Sequence, residues 1–210
     1  MSRAELFNRK ASSPKSRPDE VMKALALRRG DSVADIGSGG GYFTLRFAKA
    51  VGPSGKIYAV DTDQELLSHI EKKAVEEGHH NISTLLSAGD SFDLPEKSLD
   101  LIFMRNVSHH LAGRTEYFAR LKRLLKPSGK VSIIEYDARG RFSLRKLTGH
   151  YVPKETIIRE MTEAGYRLLE NVDLLPEQSF LTFGQTSGGE GEDTCKKASL
   201  QSAPPHQQEV

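Results

Sequence analysis

Short apolar runs alternate along this chain with stretches whose apolar residues recur three or four positions apart. Val33-Ala34-Asp35-Ile36 is such a run, and Phe43, Phe47 and Ala50 recur at helical spacing behind it. Lys56 to Asp61 is the next, followed by the stripe Leu66, Ile70 and Ala74, with Thr62-x-x-Glu65 as its capping box. Ile82 to Leu86, Leu99 to Met104 and Val131 to Ile134 are further strands. Helical stripes follow through Phe118, Leu121 and Leu125, where Lys126-Pro127-Ser128-Gly129 turns the chain, and through Ile157, Ile158, Met161 and Ala164. Near-continuous apolar strands separated by helices require a parallel sheet with right-handed crossovers, covered on both faces. The expected fold class is therefore α/β, doubly wound. Tyr166 to Val172 and Ser179 to Phe183 lie too close for a helix between them and read as a terminal pair, at least one member antiparallel.

The flanks lack this pattern. Residues 1–17 are polar and basic, broken by Pro14 and followed by Pro18, and read as a flexible arm. A short helix is expected after Pro18, with Val21 and Leu25 facing inward and Gly30 closing it. Residues 186–210 carry few apolar side chains and are expected to be disordered. Residues 18–185 remain as one domain, large enough to bury a central sheet. The formal net charge of +2 is too small to argue for nucleic acid. No apolar run approaches the roughly 18–20 residues that a bilayer requires, and the N-terminus has no secretory pattern, so the expected compartment is the cytoplasm. A single cysteine, Cys195, excludes an internal disulfide framework and a cysteine-cluster metal site, and no metal site is expected. The oligomeric state stays open.

The turn Gly37-Ser38-Gly39-Gly40-Gly41 after the first strand carries the strongest chemical signal. In an open parallel sheet, ligands sit beyond the carboxyl ends of the strands, where strand order reverses. Glycines there let backbone approach a ligand closely. A phosphate-cradling loop would need a lysine that this turn lacks. The dinucleotide fingerprint needs a glycine where Tyr42 stands. An adenosyl group attached to an amino acid is the remaining ligand class. Asp35 suits it, because a carboxylate at the mouth repels a pyrophosphate and attracts an ammonium. Asp61 ends the second strand and can accept hydrogen bonds from ribose hydroxyls, a geometry that nicotinamide enzymes share; the alternative is an acid favouring a helix N-terminus. Asp90, after the third strand, can accept from an adenine amino group, and Phe92 or Leu94 can cover the purine face.

With these residues assembled, the chain resembles the class I S-adenosylmethionine-dependent methyltransferases from about Pro18 to Gln185. The likeness is strongest in Val33–Thr44, Tyr58–Asp63, Gly89–Leu111 and Leu121–Tyr136, with Ser128 in place of a usual glycine. Arg105-Asn106-Val107 is similar to the ubiquinone/menaquinone-biosynthesis branch. The resemblance implies S-adenosyl-L-methionine as cofactor and a Rossmann-like, mostly parallel seven-stranded sheet with an antiparallel last strand. It also implies that Asp35, Gly37, Ser38 and Gly39 hold the methionine part, Asp61 and Thr62 the ribose, and Asp90 and Ser91 the adenine. Asn106 would lie near the methionine end.

Methyl transfer needs positioning and, for many carbon and oxygen acceptors, a general base. His109 and His110, just beyond the fourth strand, are the candidates; the alternative is a structural role beside Leu111. Tyr136 and Asp137 are weaker candidates for substrate contact. The basic segment 139–146 can attract an anionic substrate or surface, or be a solvated loop. The expected acceptor is a small molecule or a lipid/quinone-like compound, with no nucleic-acid partner. Two alternatives remain: an NAD-dependent oxidoreductase, and a non-catalytic protein that binds the adenosyl cofactor.

Overall fold

A computed structural model describes residues 1–88, 92–137 and 150–186. Its seven strands are β1 (Ser32–Ile36), β2 (Lys56–Asp61), β3 (Ile82–Leu86), β4 (Leu99–Arg105), β5 (Leu125–Tyr136), β6 (Tyr166–Asn171) and β7 (Gln178–Gln185). They form one sheet in the order β3-β2-β1-β4-β5-β7-β6. β3, β2, β1, β4 and β5 run parallel to one another, and β7 is antiparallel to both β5 and β6. The expected α/β class and antiparallel last strand are what the chain adopts. Strand order reverses between β1 and β4, which places a ligand crevice at their carboxyl ends.

Helices α1 (Arg3–Ala11), α2 (Pro18–Leu25), α3 (Tyr42–Val51), α4 (Gln64–Glu76), α5 (Arg114–Leu121) and α6 (Lys154–Glu163) surround the sheet. The alternation of side chains along a strand divides the core between its faces. Ile102, Met104 and Ile133 pack with Phe118 and Leu121 of α5 and with Ile157 and Met161 of α6. Leu101, Phe103 and Ile134 pack with Phe43, Phe47 and Val51 of α3.

Several local expectations change. The N-terminal arm is not loose. Ser2 and Glu5 form a capping box on α1, Ala4 and Ala11 are buried, and α1 packs on α3 and α4. Polar bonds hold this helix as much as apolar burial does, so the 3.6-residue pattern is weak there. α2 ends at Ala26, in the left-handed region at φ +49°, before Gly30 is reached. Asp63, not Thr62, caps α4: its carboxylate accepts the N–H groups of Glu65 and Leu66. Lys126–Gly129 belongs to β5, where the register jumps from Leu99↔Leu125 to Leu101↔Lys130 and the extra residues bulge out. The expectations for residues 139–146 and for the C-terminal tail beyond Thr186 fall outside the described residues. None of the described helices is long and apolar enough to cross a membrane.

Candidate functional site

The chain leaves β1 through a turn whose shape only glycines hold easily. Gly37, Gly39 and Gly41 have φ of +70°, +55° and +83°. The Gly37 and Ser38 N–H groups both donate to the Val60 carbonyl, at 2.8 and 3.1 Å, which ties the turn to the end of β2. A Cβ on Gly37 would lie 2.3 Å from Val107, and one on Gly40 would lie 2.3 Å from the Ala4 carbonyl oxygen. The space that these glycines free is thus taken by the loop after β4 and by α1.

α1 crosses directly over this turn. Asn8 Nδ2 donates to the Gly40 carbonyl at 2.9 Å, and Asn8 Oδ1 accepts the Tyr42 N–H at 3.2 Å. The first turn of α3 has no side-chain cap of its own, so Asn8 caps it from another element.

A cavity of about 1120 Å³ opens beside the turn, at the carboxyl ends of β1, β2 and β4. Asp35, Ser38, Asp61, Thr62, Asn106 and His109 all line it, together with Gly37, Gly39 and His110. Asp90 and Ser91 lie outside the described residues; Leu94, from the same segment, is buried in the core.

Asp35 is 3% exposed, and its Oδ2 accepts the Thr44 hydroxyl at 2.6 Å. Burial pushes its carboxyl up to about 7; the Thr44 hydrogen bond and Arg105 oppose this, and the Asp61 charge adds to it. Asp61 Oδ2 accepts the Gly39 N–H at 2.8 Å, and its Oδ1 accepts the Asp63 N–H at 3.1 Å. Ser38 Oγ is buried against the cavity without a partner. Buried hydroxyls nearly always find one. Asn106 sits at φ +56°, its N–H donates to the Ile134 carbonyl at 2.8 Å, and its side-chain oxygen accepts Gln178 Nε2 at 2.6 Å. Asn106 is therefore pinned by its side chain and its N–H.

His109 Nδ1 lies 3.0 Å from Glu135 Oε1. The His110 ring centroid is 4.1 Å from that of His109, and the His150 ring is 5.4 Å from it. Burial pulls the His110 pKa down, and the neighbouring His109 and His150 add to this against Glu135. His110 is thereby kept neutral at neutral pH. Tyr136 also lines the cavity, whereas Asp137 accepts the Lys154 N–H at 3.0 Å and serves the start of α6. No group of three or more His, Cys, Asp or Glu among the described residues is arranged to hold a metal ion.

Arg105, Glu135, His150 and the α1 residues went unread in the sequence as site residues. Arg105 Nη2 donates to Ser16 Oγ at 2.9 Å, its guanidinium lies 5.5 Å from the Phe43 ring centroid, and burial draws its pKa down. Glu135 had a usable signal, being a carboxylate inside an apolar strand that must be covered on both faces. The α1 residues carried none.

Residues 33–129 match a methyltransferase-domain family. A demethylmenaquinone methyltransferase of Geobacillus stearothermophilus is 27% identical over 136 residues, covering 63% of this chain and 56% of the relative. A ubiquinone/menaquinone biosynthesis C-methyltransferase of Pseudomonas paraeruginosa is 28% identical over 178 residues, covering 77% of this chain and 65% of the relative. The chain thus spans less than two-thirds of either relative's length. The crystal structure of a SAM-dependent methyltransferase from Aquifex aeolicus superposes with a TM-score of 0.74 at 25% identity, covering 84% of this chain and 96% of that one. All three likenesses are to methyltransferases, which decides between the two nucleoside cofactors that Asp61 left open. Over residues 33–129 the chain matches a methyltransferase-domain family, and it is similar to class I S-adenosylmethionine-dependent methyltransferases, the ubiquinone/menaquinone-biosynthesis branch among them.

Proposed function

We propose that this chain transfers a methyl group from S-adenosyl-L-methionine to a small-molecule acceptor with a quinone-like ring. The observation that carries the reading is one cavity lined by a buried carboxylate, a residue with an unpartnered buried hydroxyl, and three histidines. Asp35 would meet the ammonium of the methionine part, with the unpartnered Ser38 Oγ as a further polar partner. Asp61 and Thr62 are placed for the ribose hydroxyls. Asp90 and Ser91 stay assigned to the adenine by family resemblance.

The cofactor, when bound, supplies a methyl group on a positively charged sulfur. The protein's part is to align that carbon with the acceptor and to exclude water. Leu111, Tyr117 and Tyr136 add apolar and aromatic surface to the cavity lining, which suits a flat ring. His109 and His110 line the same cavity as the candidate proton acceptors. The two curated relatives, by their names, act in menaquinone and ubiquinone synthesis, which supports a ring acceptor.

The test pairs binding with transfer. Isothermal titration should show S-adenosylhomocysteine binding without any NAD binding. Methyl-labelled S-adenosylmethionine is then incubated with short-chain naphthoquinols, benzoquinols, simple phenols and amines, and the products are weighed by mass spectrometry. Label on a quinol supports the reading. Label on amines alone, or no binding of the nucleoside, overturns it.

A further inference from the structure

Glu135 stands in the middle of the sheet, on β5 between β4 and β7, with no exposed surface. A carboxylate in that position is costly unless its oxygens are met by donors. Oε1 accepts the Tyr136 N–H at 2.9 Å, and Oε2 lies 3.4 Å from the His109 N–H. The remaining contact is His109 Nδ1 at 3.0 Å from Oε1. Backbone N–H groups directed at both oxygens suit an ionised carboxylate, which can only accept, so the imidazole nitrogen facing it is assigned as the donor. This assignment puts a proton on Nδ1 and leaves Nε2 as the ring nitrogen not engaged by Glu135.

His109 is held from both sides. Its side chain is 6% exposed, and the rings of His110 and His150 pack against it. It still lines the cavity, so Nε2 is the ring nitrogen left for a bound molecule. The charged and titratable groups around this pair are Glu135 on β5, His110 beside it, His150 ahead of α6, and Arg114 at the start of α5, which feels the Glu135 charge.

We infer that Glu135 is a positioning residue that fixes His109 as an Nε2 proton acceptor, and that the methyl acceptor is one that must lose a proton. A phenolic or enolic hydroxyl, or a ring carbon of a quinol, fits; a neutral tertiary amine or thioether does not. This rests on the methyl-transfer reading above. In the step, the acceptor atom bonds to the methyl carbon while the carbon–sulfur bond breaks and its electron pair stays on sulfur. The acceptor's proton passes to His109 Nε2, and Glu135 stabilises the imidazolium that forms.

The test has a readout that needs no substrate. Long-range proton–nitrogen NMR on the histidine-labelled protein is expected to show His109 as the Nδ1–H tautomer. In Glu135→Gln the amide donates to Nδ1, and the expected tautomer is Nε2–H. With the quinol found above, Glu135→Gln and His109→Gln each lower the single-turnover rate by about 100-fold or more. Affinity for S-adenosylhomocysteine stays within about threefold, the scatter expected for a change outside the nucleoside contacts. His109→Gln, at the cavity wall, carries the rate test if the sheet variant folds poorly. An Nε2–H tautomer in the wild type, or variants that keep the wild-type rate, overturns the inference. A wild type that shows the Nδ1–H tautomer but methylates only tertiary amines overturns the acceptor class together with the methyl-acceptor reading, and leaves the Glu135–His109 geometry supported.

Discussion

Asp61 Oδ2 accepts the Gly39 N–H at 2.8 Å, so the acid that ends β2 is bonded to the turn that follows β1. The same carboxylate receives the Asp63 N–H at 3.1 Å through its other oxygen. Asp61 thus shapes the glycine turn before any ribose reaches it. Asp61→Ala is expected to weaken S-adenosylhomocysteine binding by about 1–3 kcal/mol, the worth of hydrogen bonds to a charged group. Isothermal titration checks this, and unchanged affinity would remove Asp61 from the site.

Asp35 predicts a pH dependence whose sign can be worked out. Its folded-state pKa, about 7, lies above its ordinary value of 3.8. The folded chain therefore holds its proton where the unfolded chain has lost it. Its contribution to stability is full below 3.8 and is lost as pH rises through about 7. Ligand-free wild type should lose stability relative to Asp35→Asn across that window, by on the order of a few kcal/mol. Denaturant unfolding of both proteins at a series of pH values measures it. An ammonium ligand favours the charged form, so nucleoside affinity should rise with pH over the same range in the wild type and stay flat in Asp35→Asn.

Asn8 caps α3 from outside that helix. Asn8→Ala removes the acceptor for the Tyr42 N–H and the donor to the Gly40 carbonyl. The expected loss is about 1–2 kcal/mol of stability, the usual cost of an N-cap. Urea unfolding measures it. A parallel fall in nucleoside affinity is expected, because α1 lines the same cavity through Phe7 and Asn8.

Phe103 fills the contact between the sheet and α3, with ring centroids 5.2 Å from Phe43 and 5.1 Å from Phe47. It is 1% exposed. Phe103→Ala should cost about 3–5 kcal/mol, from lost burial and the cavity left behind. Thermal or denaturant unfolding would show it, and a loss under about 1 kcal/mol would mean that the neighbouring rings collapse into the gap.

The sequence by itself determined what is local. Short, near-continuous apolar runs and stripes with a period of 3.6 mark the strands and helices through local pattern alone. Strand ends in a parallel sheet converge on one edge, so Asp35, Asp61 and His109 could be placed at a common mouth before any contact was known. What only the tertiary structure decided are the bonds between residues far apart in the chain. Glu135 meets His109 across 26 positions, Asn8 meets Gly40 across 32, and Gln178 meets Asn106 across 72. Such pairs leave no periodic trace, because each member is chosen for a partner that the fold alone brings near. The sequence could therefore nominate a histidine as base, and only the three-dimensional arrangement brings a buried carboxylate to its Nδ1.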